Sequence, residues 1–401
     1  MPDQNDAKGT AVADAAQKKE DSNGARPKGL EGIVIGSSSI SLVEGTEGRL
    51  SYRGYQIQDL AGNSSFEEVF YLLINGELPN RQQLTQFEGA MKARRELPEE
   101  AMAVLRVLPK SGQPIDVLRT VVSSLALIDE DVDNTQQGVV IDKAITLAAR
   151  MPTIVAAYDR LRRGEEPVAP NQDLGHAANL LYMLNGTQPS DEDASALNTY
   201  FVLAAEHSFN ASTFTAKVVI STLSDYYSGI VGAISSLKGA AHGGANQKAM
   251  EMMIEVGDVN NVDTFIDHAL ATKRRLMGMG HRIYKTYDPR AAQLNEHARI
   301  VADRSGNSKW YEIAHKIDAI SHTHPYFSER KIYPNVEFYS APLLYTLGFQ
   351  PDMMPALFAC SRISGWTAHI LEQLQDNRII RPNADYVGPS IRKYEQLSER
   401  K

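Results

Sequence analysis

Two histidines, each set in a turn of small residues, are the first sign of chemistry in this sequence. His242 begins the run His-Gly-Gly-Ala-Asn, and His281 follows Gly280, with Arg290 shortly after it beyond an Asp-Pro break. An imidazole in a glycine-rich turn can approach a ligand closely, and a guanidinium group binds a carboxylate with two parallel hydrogen bonds. The combination predicts an acid–base enzyme that acts on small anions.

Four segments carry this chemistry, and together they resemble the citrate synthases of the bacterial type, which also includes 2-methylcitrate synthases. The segments are 206–213, 242–246, 278–290 and 334–340. The family pattern Gly-x-Gly-His-x-[Ile/Val]-x-x-x-x-Asp-Pro-Arg is filled by the residues from Gly278 to Arg290. So many fixed side chains make a specific signal, and the resemblance runs from about Gly29 to Pro389.

The resemblance implies three catalytic residues. His242 would hydrogen-bond the thioester carbonyl of acetyl-CoA, and His281 would donate a proton to the ketone oxygen of oxaloacetate. Glu337 lies where the family places the carboxylate base that removes a proton from the acetyl methyl group. The family residue is aspartate, so either the backbone here is set back slightly or the longer carboxylate approaches from another angle.

The resemblance also implies the groups that bind substrate. The oxaloacetate carboxylates would be held by His207, Arg290, Arg362 and, from a partner subunit, Arg381. The CoA contacts would come from Lys285, Met279, Gly280 and Asn335. Arg362 has a physical argument of its own, because it lies in an otherwise apolar helix. An unpaired buried guanidinium is costly, so it needs a nearby carboxylate or an anionic ligand, and we favour the ligand.

Composition excludes several other classes of protein. The chain has 401 residues, 43% of them hydrophobic, and a formal net charge of −8, which does not suit a nucleic-acid-binding protein. No apolar run approaches the roughly 20 residues that span a bilayer, so we expect no membrane partner. The single cysteine, Cys360, fits a reducing compartment, and we expect a cytoplasmic protein.

We expect no metal and no other cofactor, with acetyl-CoA acting as a substrate. His322 and His324 form a His-Thr-His run that could bind a metal, but no cysteine or clear acidic partner completes a ligand set. A pair of loop histidines is the better interpretation.

The pattern of apolar residues predicts a mainly α-helical fold. Short hairpin strands are expected around 33–35, 40–43 and 50–52, and Ser65 with Glu68 suggests a capping box. Helices are expected at 141–162 (kinked or broken at Pro152), 174–186, 191–208, 212–237 and 353–375. The segment 378–390 should be extended.

A shift in composition predicts the domain organisation. Residues 1–29 read as a disordered tail, residues 30–245 and 348–401 as a large helical domain, and residues 246–347 as a smaller inserted helical domain. The active site would lie in the cleft between the two domains.

The main hypothesis is therefore a citrate synthase, an acyltransferase of the tricarboxylic acid cycle that condenses acetyl-CoA with oxaloacetate and hydrolyses citryl-CoA. It would work as a homodimer or a higher assembly of dimers. Two alternatives stay open: a 2-methylcitrate synthase that uses propionyl-CoA, and a non-catalytic protein that binds acyl-CoA or a dicarboxylate.

Overall fold

The computed structural model describes residues 28–281, 283–284 and 286–400. Residues from Ser39 onward form one compact unit, and those up to Ser38 form a separate one. The predicted disordered tail, residues 1–29, lies outside the described residues except for its last two, which belong to the 3-10 turn Lys28–Leu30. The description below concerns the unit that begins at Ser39.

A small antiparallel sheet opens this unit. Its strands are β1 (Ser41–Glu44), β2 (Arg49–Tyr52) and β3 (Tyr55–Gln56), in that order. Val43 pairs with Leu50, so the predicted hairpin is confirmed. The strand expected at 33–35 is not formed, and these residues are exposed.

The remaining elements are helices. The first nine are α1 (Ile57–Asn63), α2 (Phe66–Asn75), α3 (Arg81–Lys92), α4 (Glu99–Val107), α5 (Pro114–Leu125), α6 (Gln137–Arg162), α7 (His176–Asn185), α8 (Asp191–Ala204) and α9 (Ala211–Ser221). The others are α10 (Tyr226–Leu237), α11 (Ala245–Val256), α12 (Val262–Ala271), α13 (Pro289–Ser305), α14 (Lys309–Thr323), α15 (Pro325–Ser328), α16 (Val336–Thr346) and α17 (Met354–Gln375). Short 3-10 turns also form at Ala126–Ile128, Val259–Asn261, Pro351–Met353 and Leu397–Glu399.

Several predicted helix boundaries need correction. The helix expected at 212–237 is two helices, because Leu223 adopts a left-handed conformation (φ 64°) and Asp225 caps a new helix by accepting the Ser228 N–H. Pro152 does not break α6, which runs on to Arg162. Ser65 caps α2 by accepting the Glu68 N–H, so half of the proposed capping box is present.

The core is organised around α17, whose residues from Met354 to Leu371 are all buried. It packs against α2, α6, α8, α9 and α10. The helix is buried on every face because other helices surround it. The later helices α11 to α16 pack on one another, and α13 also contacts α1 and α8. The division into a large domain and an inserted domain at residues 246–347 stays a prediction.

No helix among the described residues is both long enough and apolar enough to cross a membrane. The segment from residue 377 to the 3-10 turn Leu397–Glu399 contains no helix or strand, and 378–390 was predicted to be extended and not helical.

The hairpin also supports the segment that follows His281. A Cβ atom at Gly45 would lie 2.3 Å from the Ile283 carbonyl oxygen, and one at Gly48 would lie 2.6 Å from Thr286 Cγ2. The turn between β1 and β2 can therefore approach Ile283 and Thr286 only because these two glycines have no side chain.

We expect Gly45→Ala to destabilise the protein by about 1–3 kcal/mol, since the added methyl must displace main-chain atoms. Urea unfolding measures the change. Gly62→Ala is the matched control, because a Cβ there meets nothing within 4 Å, and alanine favours the helix α1. Equal stability of the two variants would show that the turn does not press on residue 283.

Candidate active site

The turn that carries His281 is fixed against the chain just before α16. Gly278 and Gly280 have φ of 74° and 77°, a conformation that glycine adopts without strain. The Gly280 N–H donates to the Tyr333 carbonyl (2.7 Å), and the Asn335 N–H donates to the Gly278 carbonyl (3.0 Å). The Asn335 side chain adds a bond from Nδ2 to the Gly280 carbonyl (2.9 Å). These bonds bring two distant segments of the sequence together.

Asn335, which bonds to the turn that carries His281, also positions Glu337. Asn335 caps α16 by accepting the Glu337 N–H (3.1 Å), so the carboxylate projects from the first turn of that helix. Burial raises the pKa of Glu337, although Arg290 acts in the opposite direction. A carboxylate in such surroundings is a stronger base than one in water.

Helix α16 is also tied to the helix that follows His242. Asn246, in the first turn of α11, donates from Nδ2 to Ser340 Oγ (2.8 Å), and that hydroxyl donates to the Val336 carbonyl (2.7 Å). Both pairs are buried. The elements that follow His242 and carry Glu337 are therefore held in one arrangement by a chain of hydrogen bonds.

Hydrogen bonds fix the tautomer of His281. Its Nδ1 accepts from the N–H groups of Ile283 (3.1 Å) and Tyr284 (3.2 Å). A ring nitrogen that accepts carries no proton, so the neutral ring carries its proton on Nε2. His281 can thus donate a hydrogen bond from Nε2.

His242 is fixed in the opposite way. Its Nε2 accepts from the Ser212 N–H at the start of α9 (3.3 Å) and lies 2.9 Å from Ser212 Oγ, which also accepts from Trp366 Nε1 (3.0 Å). The proton of the neutral ring is therefore on Nδ1. Burial, aided by the charge of Arg362, lowers the pKa of His242 to about 4. At neutral pH this group is an uncharged hydrogen-bond donor.

His207 joins the site through Tyr284. Its Nε2 lies 3.2 Å from the tyrosine hydroxyl, and its ring centre lies 5.5 Å from that of His281. Burial lowers the pKa of His207 well below the ordinary value, and the nearby Arg290 and His281 add to this effect. His207 is thus a neutral, buried group.

Arg290 remains charged although it is only 2% exposed. It forms two parallel bonds with Asp288, from Nε to Oδ1 (3.0 Å) and from Nη2 to Oδ2 (2.8 Å). Burial alone would lower the pKa of Arg290, but the attraction of Asp288 raises it. Asp288 also caps α13 by accepting the Arg290 N–H, so one residue orients both the helix and the guanidinium.

Arg362 is buried to the same extent but has no such partner. Its Nε donates to the Ala204 carbonyl (2.6 Å), and its guanidinium carbon lies 4.6 Å from the Phe358 ring centre. Within the described ranges it forms no salt bridge with a carboxylate. Burial lowers its pKa, and the more distant Glu206 opposes this. A buried cation of this kind is stabilised when an anion binds to it.

Six of the predicted residues therefore share one electrostatic environment. Arg362 influences the pKa of His207, His242 and Glu337, and His281 influences that of His207. Arg381 lies apart, exposed on the segment after α17.

The predicted CoA contacts divide into three cases. Lys285 lies outside the described residues. Met279 is only 4% exposed, so its side chain packs in the interior. The polar groups of Gly280 and Asn335 bond the turn to the chain before α16.

The two histidines considered as metal ligands have protein partners: His322 Nε2 lies 3.2 Å from Asp318 Oδ1, and His324 Nδ1 accepts the Tyr326 N–H.

Sequence analysis assigned no role in the site to four residues that hold it: Ser212, Tyr284, Asp288 and Trp366. Only Asp288 had a signal, since Asp before Pro is a common start of a helix. The others act through tertiary contacts. The resulting site combines two neutral donors, a carboxylate base and two buried guanidinium groups. It can remove a proton next to a carbonyl and stabilise the charge that develops on oxygen.

We expect acid to destabilise the protein through His242. Its folded pKa is about 4, below the ordinary value of 6.5. Between these pH values the unfolded state binds a proton that the folded state does not, so stability falls as pH decreases from 6.5 towards 4. The loss is about 1.4 kcal/mol for each pKa unit of difference.

Urea unfolding at several pH values between 7.5 and 4.5 measures this loss of stability. His242→Gln should show a shallower decline than the wild type, while His268→Gln, at an exposed position on α12, should not differ from it. Parallel curves for wild type and His242→Gln would contradict a buried neutral His242.

Comparison with known proteins identifies the family of this chain. Residues 29–383 match the family model of the citrate synthase C-terminal domain. The chain is 44% identical to citrate synthase 2 of Bacillus subtilis over 374 residues, 93% of this chain and 99% of that protein. It is 40% identical to 2-methylcitrate synthase 1 of Corynebacterium glutamicum over 378 residues, 93% and 98% of the two chains.

Solved structures give the same result. The citrate synthase of Thermotoga maritima has a TM-score of 0.83 at 43% identity, covering 94% of this chain and all of that one. The citrate synthase of Thermoplasma acidophilum, solved with carboxymethyl coenzyme A and oxaloacetate, has a TM-score of 0.88 at 32% identity, again over 94% of this chain and 100% of that one. The chain belongs to the citrate synthase family, a family of acyltransferases.

Proposed function

We propose that this protein is a citrate synthase that joins acetyl-CoA to oxaloacetate and hydrolyses the resulting citryl-CoA to citrate and CoA. The observation that carries the proposal is the pair of opposite tautomers. His242 carries its ring proton on Nδ1 and His281 carries its ring proton on Nε2, with the Glu337 carboxylate in the same site. Condensation of a thioester with a ketone needs one donor for each carbonyl oxygen and one base.

In the first step Glu337 removes a proton from the acetyl methyl group. The electrons move to the thioester oxygen, where His242 donates from Nδ1 and stabilises the developing enolate. A neutral imidazole suits this role because it stays protonated on Nδ1 throughout the working pH range. The raised pKa of Glu337 brings the base closer in strength to the weak carbon acid.

In the second step the enolate carbon attacks the ketone carbon of oxaloacetate. His281 donates its Nε2 proton to the ketone oxygen as the new carbon–carbon bond forms, and the proton that Glu337 took from the methyl group restores the neutral imidazole. Arg290 and Arg362, assisted by His207, hold the two carboxylates of this substrate. A dianion accounts for a buried guanidinium that lacks a carboxylate partner within the described chain.

Hydrolysis of citryl-CoA completes the cycle. Acetyl-CoA is also a thioester, so it must be protected from hydrolysis until it has reacted with oxaloacetate. We propose that the inserted domain, residues 246–347, closes on the large domain after oxaloacetate binds. His281 and Glu337 would then meet the thioester only in the closed form. CoA contacts are proposed for Lys285, Met279, Gly280 and Asn335. The mechanism uses no metal and no other cofactor.

A second copy of the chain is the proposed partner. The segment after α17 exposes several large apolar side chains, which suit packing against another subunit. They are Ile379, Tyr386, Val387, Ile391, Tyr394 and Leu397. Arg381 lies in this segment and would contribute to the partner's oxaloacetate site. We propose a homodimer or an assembly of dimers that works in the cytoplasm, in the tricarboxylic acid cycle.

The alternative within the family is a 2-methylcitrate synthase. Relatives with either name are about equally similar to this chain, at 44% and 40% identity. The two reactions differ by one methylene in the acyl group, which is worth only about 1–3 kcal/mol in an apolar pocket. Sequence similarity at this level supports the shared chemistry more strongly than the choice of thioester.

We expect the purified protein to release CoA thiol from acetyl-CoA only when oxaloacetate is present. A thiol reagent follows the release, and parallel measurements of kcat/KM with acetyl-CoA and propionyl-CoA identify the preferred thioester. A higher kcat/KM for propionyl-CoA would make the 2-methylcitrate reaction the main one. Binding of oxaloacetate without turnover of either thioester would favour the non-catalytic protein.

We expect Glu337→Gln to lower kcat by at least about 100-fold, because the amide cannot accept the methyl proton. Glu329→Gln is the control, since it makes the same change at an exposed position near the site in sequence. Calorimetry should show that both variants still bind oxaloacetate. Unchanged turnover in Glu337→Gln would mean that another group is the base.

A further inference from the structure

One face of α17 holds the turn that carries His207. Arg362 donates to the Ala204 carbonyl (2.6 Å), and the Gly365 N–H donates to the Ala205 carbonyl (3.2 Å). A Cβ atom at Gly365 would lie 2.3 Å from Glu206 Oε2 and 2.4 Å from the Ala205 carbonyl oxygen. Glu206, the residue before His207, is therefore pressed directly against the helix that carries Arg362.

Glu206 is held there by a histidine that the proposed mechanism does not use. His369 Nε2 lies 2.9 Å from Glu206 Oε1, and both side chains are completely buried. The same oxygen accepts from Ser41 Oγ (2.9 Å) and from the Ser208 N–H. On its other side, His369 Nδ1 lies 3.7 Å from Glu372 Oε2. The imidazole thus lies between two carboxylates.

The second oxygen of Glu206 is buried and has no hydrogen-bond partner within the described chain. Among the charges that raise the pKa of Arg362, Glu206 has the largest effect, yet the two side chains do not form a salt bridge. A carboxylate and a guanidinium that interact in a buried region attract each other. Here the bonding of Glu206 is directed elsewhere, to His369, Ser41 and the Ser208 N–H.

We propose that His369 is a positioning residue that binds Glu206 as an imidazolium and so keeps this carboxylate away from Arg362, leaving the guanidinium available for the anionic substrate. Without the imidazolium, Glu206 would turn towards Arg362 and neutralise it. The catalytic consequence rests on the proposed function, in which Arg362 binds a carboxylate of oxaloacetate.

The charges around His369 fit this role. Burial would lower its pKa, but the attraction of Glu206, with a smaller effect of Glu372, raises it. Lys217 on α9 lies 4.0 Å from Glu372 Oε2 and 4.9 Å from the Phe209 ring centre. Arg53, after β2, also interacts electrostatically with both carboxylates, and Arg362 lies on the same helix as His369. Two carboxylates therefore face one imidazole, with these three cations around them.

The direction of the pH dependence follows. A group whose folded pKa is raised stabilises the protein fully below its unfolded pKa, and the contribution is lost as pH rises through the folded pKa. The stability that protonated His369 contributes should therefore decrease at alkaline pH, and the KM for oxaloacetate should increase over the same pH range.

The test compares His369→Gln with His322→Gln. His322 also faces a carboxylate, Asp318 at 3.2 Å, but it is half exposed, so this change should have little effect. We expect His369→Gln to raise the KM for oxaloacetate roughly tenfold, about the effect of one charged hydrogen bond, with a smaller change in kcat. The alkaline rise in KM should also disappear.

The double variant Glu206→Gln/His369→Gln separates the proposal from a purely structural role. The uncharged amide that it places at position 206 cannot neutralise Arg362, so the double variant should recover most of the lost affinity for oxaloacetate. Gly365→Ala, which must displace Glu206 without changing any charge, should raise KM as well. An unchanged KM in His369→Gln, or a double variant worse than the single one, would overturn the proposal.

A second measurement does not depend on turnover. Urea unfolding from pH 6 to 9 should show that the wild type loses stability relative to His369→Gln as pH rises. If the wild type releases no CoA thiol, the proposed citrate synthase reaction is wrong. The unfolding comparison still tests whether His369 is charged, because it does not depend on turnover. A constant difference in stability across the pH range would count against a charged His369.

Discussion

The site depends on the close contact between α17 and the segment that joins α8 to α9. Gly365 allows this contact, because any side chain there would collide with Glu206 and the Ala205 carbonyl. From this helix Arg362 bonds to Ala204, and Trp366 bonds to the Ser212 hydroxyl that lies beside His242. One buried helix thus positions both a buried guanidinium and the hydroxyl group that lies beside His242.

Burial then shifts the pKa values of the titratable groups and so sets their protonation states. The neutral forms of His207 and His242 are favoured, and the pKa of Glu337 is raised. The same burial disfavours the charge on both arginines, but their surroundings differ. Arg290 is paired with Asp288, whereas Arg362 has no carboxylate bound to it among the described residues. This asymmetry suits a site in which one cation is fixed and the other awaits a ligand.

The local backbone around the candidate site could be predicted from the sequence because glycines, prolines and caps act locally, whereas the site residues themselves were inferred from the family resemblance. The turn at Gly278 and Gly280 and the Asp288 cap follow from short-range backbone preferences. The split of 212–237 into two helices was missed because apolar residues recur along its whole length, and Leu223 gives no warning of a left-handed backbone. A β-branched stretch at 33–35 likewise predicted a strand, but a strand needs a partner to pair with.

The sequence by itself determined the family, the mainly helical fold and the identity of the residues that could act as acid, base and anion ligands. These properties follow from residue types and their spacing along the chain. Only the tertiary structure decided which nitrogen of each histidine carries the proton, which arginine is paired, and that His369 and Glu206 lie behind the site. Those features depend on contacts between residues far apart in sequence, such as Ser212 with His242, which no local pattern records.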